Sequence, residues 1–404
     1  MKPKLRPLDT QWINHDDQPV LVLRDRLDLS GKAVAVPAAL TPLLVLCDGT
    51  REPSGMRAAF ELQTGIKLSQ EMVDRFIAQF DEVLMLDSPR YAQAMADARA
   101  AYRAAPYRPP ALADKSYPGD PDELRLAFER YLAQADGQAS AAPSGTVRGV
   151  VCPHIDYTRG GPVYARTWQR AATAVREAEV IIVLGTDHMG AEGALTLTRQ
   201  RYATPWGPLP LAEDVIEAMA AALGEEEAFA EELHHRSEHS LELGITWLHY
   251  FLGDRQPEVV PILCGGFHVY TEGLGDPAEV PAYERAFRAV AETTKGRRVL
   301  VVAAADLAHV GPAFGDAEPL GPAEKSALAA NDKVRLAAAC SADAAAFLAV
   351  LRREQDRQRV CGLPPIYFAL RLLGDAKGEV VTYDQCPADD DGGSLVSIAG
   401  LILT

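Results

Sequence analysis

Four short runs in which apolar residues follow one another almost without interruption fall at residues 147–152, 180–184, 259–263 and 299–303. A strand with one solvated face alternates apolar and polar residues. Runs such as Val180-Ile-Ile-Val-Leu184 instead need cover on both faces, which a parallel or mostly parallel sheet between helical layers provides. Helical periodicity over 163–177, 212–223 and 283–294 supplies those layers. The expectation is an α/β fold, a mostly parallel sheet flanked by helices. In such folds ligands bind just beyond the carboxyl ends of the strands.

At 404 residues the chain is too long for one average domain. Two stretches rich in Pro, Gly and small residues, 106–118 and 135–145, interrupt the periodicity, with a short helix between them at 121–134. They divide the chain into 1–105, a linker at 106–146 and the α/β part at 147–404. The first part opens with apolar runs at 20–23 and 33–36 around Ser30-Gly31, a strand–turn–strand signal. Helical patterns follow at 40–46, 55–64 and 70–80, then a further short strand at 83–86 and a last helix after Ser88-Pro89. Helices around a small β element suggest a winged helix. Residues 1–105 carry 13 basic and 14 acidic side chains, whereas a DNA-binding winged helix is basic on its recognition face. The pattern resembles the PqqD-like domains, which implies a peptide captured by strand addition. A non-binding appendage is the competing reading. Over the whole chain 40 Lys and Arg face 56 Asp and Glu, a net charge of −16 that argues against nucleic acid. No apolar stretch is long enough to span a membrane, and the N-terminus has no apolar signal core, so a cytoplasmic location is expected.

Three of the nine histidines sit just past apolar runs, each near an aspartate. His154 and Asp156 follow the first run, Asp187 and His188 the second, Asp306 and His309 the last. One such histidine alone reads as a hydrogen-bonded structural side chain; three at equivalent places read as a metal site. Imidazole is the usual ligand of divalent transition metals, and nearby carboxylates such as Asp187 and Asp306 orient its second nitrogen. A third, anionic ligand would leave positions open for substrate or oxygen. The segment His235-Arg-Ser-Glu238-His239 matches H-x-x-E-H, a zinc-peptidase pattern that needs both histidines on one helix. The apolar helical period begins only at Leu241, with Ser237 a candidate cap, which places His235 before the helix. Glu238 and His239 at the helix start can still point into the site, Glu238 holding a substrate proton or an imidazole nitrogen. The competing reading is that Glu238 complements the helix N-terminus.

The six cysteines are scattered without a C-x-x-C pair, which argues against a disulfide framework and a zinc ribbon. Here the ordered motifs become informative together. His154 with Tyr157 and the following glycines, Leu184-Gly-Thr-Asp-His188, Glu238-His-Ser-Leu-Glu242, Pro261-Ile-Leu-Cys-Gly265, Asp306-Leu-Ala-His309 and Cys361-Gly-Leu-Pro-Pro365 resemble the MEMO family over about residues 147–404. Bacterial members of that family are called AmmeMemoRadiSam system protein B. The resemblance implies a fold like that of class III extradiol dioxygenases and a metal held by His154, His188 and Cys361, with His309 as a pocket acid or base. It also implies iron or copper as the metal, and partnership with a radical-SAM protein and an AMMECR-type protein. A thiolate at Cys361 is a soft ligand suited to iron, copper or zinc, while the other cysteines read as core residues. Asp156, Met189 and Ala304, Ala305 and Ala308 depart from the common family pattern, and Asp156 adds a carboxylate close to the expected metal. The reading is an iron(II)-dependent non-haem oxidoreductase, with Glu238, Asp306 and Asp187 as groups that orient imidazoles. The alternatives are a non-catalytic metal- or peptide-binding accessory protein and a metal-dependent hydrolase.

Overall fold

The computed structural model describes residues 2–16, 18–135 and 145–404. Most of the composition break at 135–145 lies outside the described residues. The chain forms two compact units, Met1–Ala104 and Ala105–Thr404.

In the first unit, β1 (Asp9–His15), β2 (Gln18–Arg24) and β3 (Ala33–Pro37) form an antiparallel meander in that order. Helices α1 (Thr41–Leu46), α2 (Pro53–Thr64), α3 (Gln70–Glu82) and α4 (Pro89–Ala104) follow. Leu23 and Val36 of the sheet pack with Leu44, Phe80, Met85 and Leu86. The strand expected at 83–86 is absent: Leu84 takes a left-handed turn (φ 63°), and Leu86 makes only an isolated antiparallel bridge to Leu5. The apolar run there records burial of Met85 and Leu86, not sheet pairing. Strand β1 escaped the sequence reading because every residue in it is exposed, leaving no apolar run to detect.

The second unit begins with α5 (Pro121–Ala135), β4 (Gly149–Cys152), α6 (Tyr157–Glu177), β5 (Val180–Thr186) and β6 (Leu195–Leu197). A short hairpin, β7 (Ala203–Thr204) and β8 (Gly207–Pro208), leads to α7 (Glu213–Leu223), α8 (Glu225–Ala228), α9 (His239–Leu252) and β9 (Glu258–Cys264). Then come α10 (His268–Thr271), α11 (Pro281–Thr293), β10 (Val299–Ala304), β11 (His309–Val310), α12 (Pro322–Cys340), α13 (Ala344–Glu354), α14 (Leu363–Leu373), β12 (Gly378–Pro387) and β13 (Leu395–Leu403). The eight-stranded sheet has the order β11-β13-β4-β10-β5-β9-β6, with β12 paired to β13. Strands β4, β10, β5 and β9 are mutually parallel, as the apolar runs imply, while β13 and β6 flank them antiparallel. Alternate residues of these strands enter different cores. Ile182, Leu184, Val260 and Val301 face one side with α7, α11, α13 and α14; Ile181, Val183, Leu263 and Val302 face the other with α5, α6 and α9. Among the described residues no helix is long and apolar enough to cross a membrane.

Two expectations change here. The segment read as a linker is part of the second unit over its described residues: Leu124 and Phe128 of α5 are fully buried, and the Phe128 ring stacks on Trp247 at 3.8 Å. Helix α6 starts at Tyr157, well before the expected start at 163, because Asp156 caps it by accepting from Arg159 N–H (3.1 Å). Gly161 admits Tyr131 against this first stretch, since a Cβ there would overlap the ring.

Candidate metal centre

Three adjacent parallel strands, β4, β10 and β5, end at the same edge, and the residues just past them build the site. His154 follows β4. Its backbone N–H donates to Asp306 Oδ1 (2.8 Å), and its Nδ1 lies 3.0 Å from the Ala304 carbonyl at the end of β10. With Nδ1 occupied as a donor, Nε2 is the free lone pair, and it faces Cys361 Sγ at 3.2 Å. His188 follows β5; its backbone N–H (3.1 Å) and its Nδ1 (3.0 Å) both donate to Glu238 Oε2. One donor atom each from His154, His188 and Cys361 lies within 4.8 Å of the others.

Cys361 comes from no strand end but from the turn into α14. Three non-glycine residues before it, Gln355, Asp356 and Arg359, have φ of 51°, 43° and 52°. Such conformations cost on the order of 1–3 kcal/mol each and persist where the surroundings impose them. Asp356 accepts from Val360 N–H (2.9 Å), and Arg359 pairs with Asp316. Thr186 Oγ1 donates to the Cys361 carbonyl (2.9 Å), and Gly362 N–H donates to the Asp306 carbonyl (3.0 Å). The Gly362 bond is the tighter constraint: a Cβ on Gly362 would overlap the same Asp306 carbonyl, so only glycine fits. Pro364 and Pro365, whose missing N–H groups cost nothing in a first helical turn, start α14 directly behind it.

Asp306 turns one oxygen to the backbone N–H groups of His154 and Ile155, and the other lies 3.8 Å from His154 Nε2. His309 places Nδ1 3.2 Å from the carbonyls of Leu307 and Arg359, which leaves its Nε2 as the acceptor. His188, His309 and Cys361 line one cavity of about 360 Å³, with Phe267 and Phe314 as apolar wall. A wider cleft of about 830 Å³ beside Ser341, Tyr367 and Thr404 contains none of the candidate residues.

His239, to which the sequence assigns no role of its own, is a full member of the site. Glu238 caps α9 by accepting from Ser240 N–H (2.9 Å), and the same carboxylate lies 3.0 Å from His239 Nδ1. One buried carboxylate therefore holds two imidazoles, whose rings stack at 4.7 Å and 17°. His154 stands edge-on to both, at 5.3 and 5.4 Å. The available signal was the adjacency of Glu238 and His239 at a helix start. The cap is Glu238, not Ser237.

Two other carboxylates have partners other than those expected, although Asp187 lines the same cavity as His188. Asp187 accepts from His234 Nδ1 (2.8 Å) and Met189 N–H (3.0 Å), and with Glu231 and His234 it forms a separate group. Asp156 is the α6 cap and pairs with Arg159 at 2.6 Å, so its charge is already matched. His235 is not paired with His239: its Nε2 donates to the Thr196 carbonyl (3.0 Å), and its Nδ1 accepts from the Tyr202 hydroxyl (2.8 Å).

Burial and charge set the protonation of these groups. Burial, then the neighbouring His188 and His239, hold His154 well below the usual imidazole range, so it is neutral and ready to ligate. Burial works against a proton on His188, but its bonds to Glu238 outweigh that and raise it. Burial likewise opposes ionisation of Glu238, yet the two imidazoles keep its carboxyl well below the carboxylate range. Burial, with Asp306 adding to it, pushes the Cys361 thiol well above its ordinary value. Burial also raises Asp306 and lowers His309.

The model of the family described as Memo-like protein matches residues 108–402. The chain belongs to the Memo-like family. A MEMO1 family protein of Aquifex aeolicus is 26% identical over the full length of both chains. One from Methanopyrus kandleri is 28% identical over 68% of this chain and 91% of its own, and one from Thermus thermophilus is 30% identical over 68% and 76%. The Memo-like match includes Arg108 and helix α5, in keeping with their place in the second unit. Two imidazole nitrogens with fixed tautomers and one sulfur, all within 4.8 Å, are a donor set that fits a transition metal in this Memo-like unit.

Proposed function

We propose that this Memo-like protein is a metal-dependent non-haem oxidoreductase, holding iron(II) on His154, His188 and Cys361 and acting in the cavity beside them. The approach of Cys361 Sγ to His154 Nε2, 3.2 Å across 207 residues of chain, carries the reading. Bound there, iron(II) supplies a redox-active Lewis acid with positions left for substrate and dioxygen. The chain's own residues do the rest. The Ala304 carbonyl and the Glu238 carboxylate accept hydrogen bonds from Nδ1–H of His154 and His188, which aims each Nε2 inward. His309, with Nδ1 turned to two carbonyls, accepts a substrate proton at Nε2, a role worth roughly 10² to 10⁴ in rate. Phe267 and Phe314 keep that part of the cavity apolar.

Anaerobic purification followed by metal analysis tests this. One equivalent of metal is expected in the parent, with loss in Cys361→Ser and His188→Ala, and with dioxygen consumed in the presence of phenolic or peptide substrates. A parent that binds no metal after reconstitution defeats the proposal. Bound metal without dioxygen uptake moves the function to hydrolysis or to presentation of a partner.

The accessory reading has one observation in its favour. In the first unit, β1 is an edge strand of the meander with Trp12 and Ile13 exposed by 55% and 41%. An edge of this kind accepts an added strand. This supports a peptide at the expected PqqD-like unit; a radical-SAM protein and an AMMECR-type protein are proposed as partners on the family resemblance alone.

A further inference from the structure

Behind the centre lies a buried ion pair that the metal reading does not use. Arg108 and Glu242 are withdrawn from solvent almost completely. The Arg108 guanidinium donates from Nε to the His235 carbonyl (2.8 Å), from Nη2 to the Glu238 carbonyl (3.1 Å), and from Nη1 to the Pro109 carbonyl (3.1 Å) and to Glu242. Glu242 in turn accepts from Ala111 N–H (2.9 Å), Leu112 N–H (2.8 Å) and the Tyr117 hydroxyl. The fork thus grips three acceptors along residues 235–242, on either side of the turn that presents Glu238. A buried pair of this kind adds little net stability, because desolvation of both ions offsets their attraction. What it does supply is a fixed backbone at the start of α9.

We propose that Arg108, anchored by Glu242, is a positioning residue for the metal centre: it fixes the backbone at Glu238 so that one carboxylate can steer both His188 and His239. The inference rests on the metal reading above. It makes the residues around 108–117, which composition marks as a connection, a structural part of the centre. Lysine could keep the charge but not the planar fork that reaches two carbonyls and a carboxylate together.

The test uses the full chain, reduced and metal-free, titrated with cobalt(II) while the d–d bands and the sulfur-to-cobalt band are followed. Arg108→Lys is expected to keep the parent circular dichroism and to bind cobalt about 10- to 100-fold more weakly, with altered d–d bands. Arg108→Met combined with Glu242→Met removes both buried charges together and covers the case in which the lysine variant does not fold. The same loss is expected there. Parent affinity and parent bands in either folded variant overturn the inference alone. Failure of both variants to fold assigns the pair to fold stability and overturns the positioning role. Absence of cobalt bands in the parent overturns the metal reading, and the inference with it.

Discussion

On the proposed metal reading, Cys361 and His188 set how the centre depends on pH. Burial pushes the Cys361 thiol up, and Glu238 raises His188 against the opposing effect of burial. Both must lose a proton to ligate. Metal affinity should therefore increase as pH rises through the neutral range, and each binding event should release protons. Calorimetry in buffers of different ionisation enthalpy measures that release; affinity independent of pH between about 6 and 8 would contradict the assignment. At this scale the sequence was most legible where a side chain follows a strand directly, as His154 and His188 do. The role of His239 was harder to see because it depends on a shared partner, Glu238, and not on a strand end. Asp187 holds an imidazole other than its neighbour's for a related reason: adjacency to His188 along the chain does not decide which way a turn points its carboxylate, and this one meets His234.

Helix α5, placed at 121–134 by the sequence, shows how core packing can hide in composition that suggests a connection. Its flanks are rich in Pro and small residues, yet Leu124 and Phe128 enter the core shared with α6 and α9. Phe128→Ala should lower stability by about 3–5 kcal/mol, measured by urea unfolding, because it empties a site stacked on Trp247. A solvated linker residue would change stability by less than about 0.5 kcal/mol. The four parallel strands were readable because burial on both faces leaves an unbroken apolar run. Strand β12 was not, since its residues are half-buried or exposed without a clean period and only Cys386 is buried.

For the whole molecule, the division into two units has a direct experimental meaning. His154, His188, His239, His309 and Cys361 all belong to Ala105–Thr404, as does Arg108. A protein beginning at Ala105 should therefore bind metal with the affinity of the full chain, as read by metal analysis after reconstitution. One beginning at residue 121 lacks Arg108 and should not. Composition marks 106–146 as a connection although its described residues pack within the second unit, because loss of periodicity signals irregular backbone and not the loss of packing. The acidic balance of the chain argued against one class of partner without identifying any.

The distance along the chain between His154 and Cys361, 207 residues, sets a timetable for the cell. A ribosome adding roughly 5–20 residues each second releases the first imidazole many seconds before the sulfur that completes the set. Cargo ions arriving in that interval would meet only a fragment of their cradle. On the proposed metal reading, loading must then wait until translation has passed the thiol and α14, β12 and β13 have docked, so a messenger cut short upstream of that codon would yield a product permanently unable to be charged.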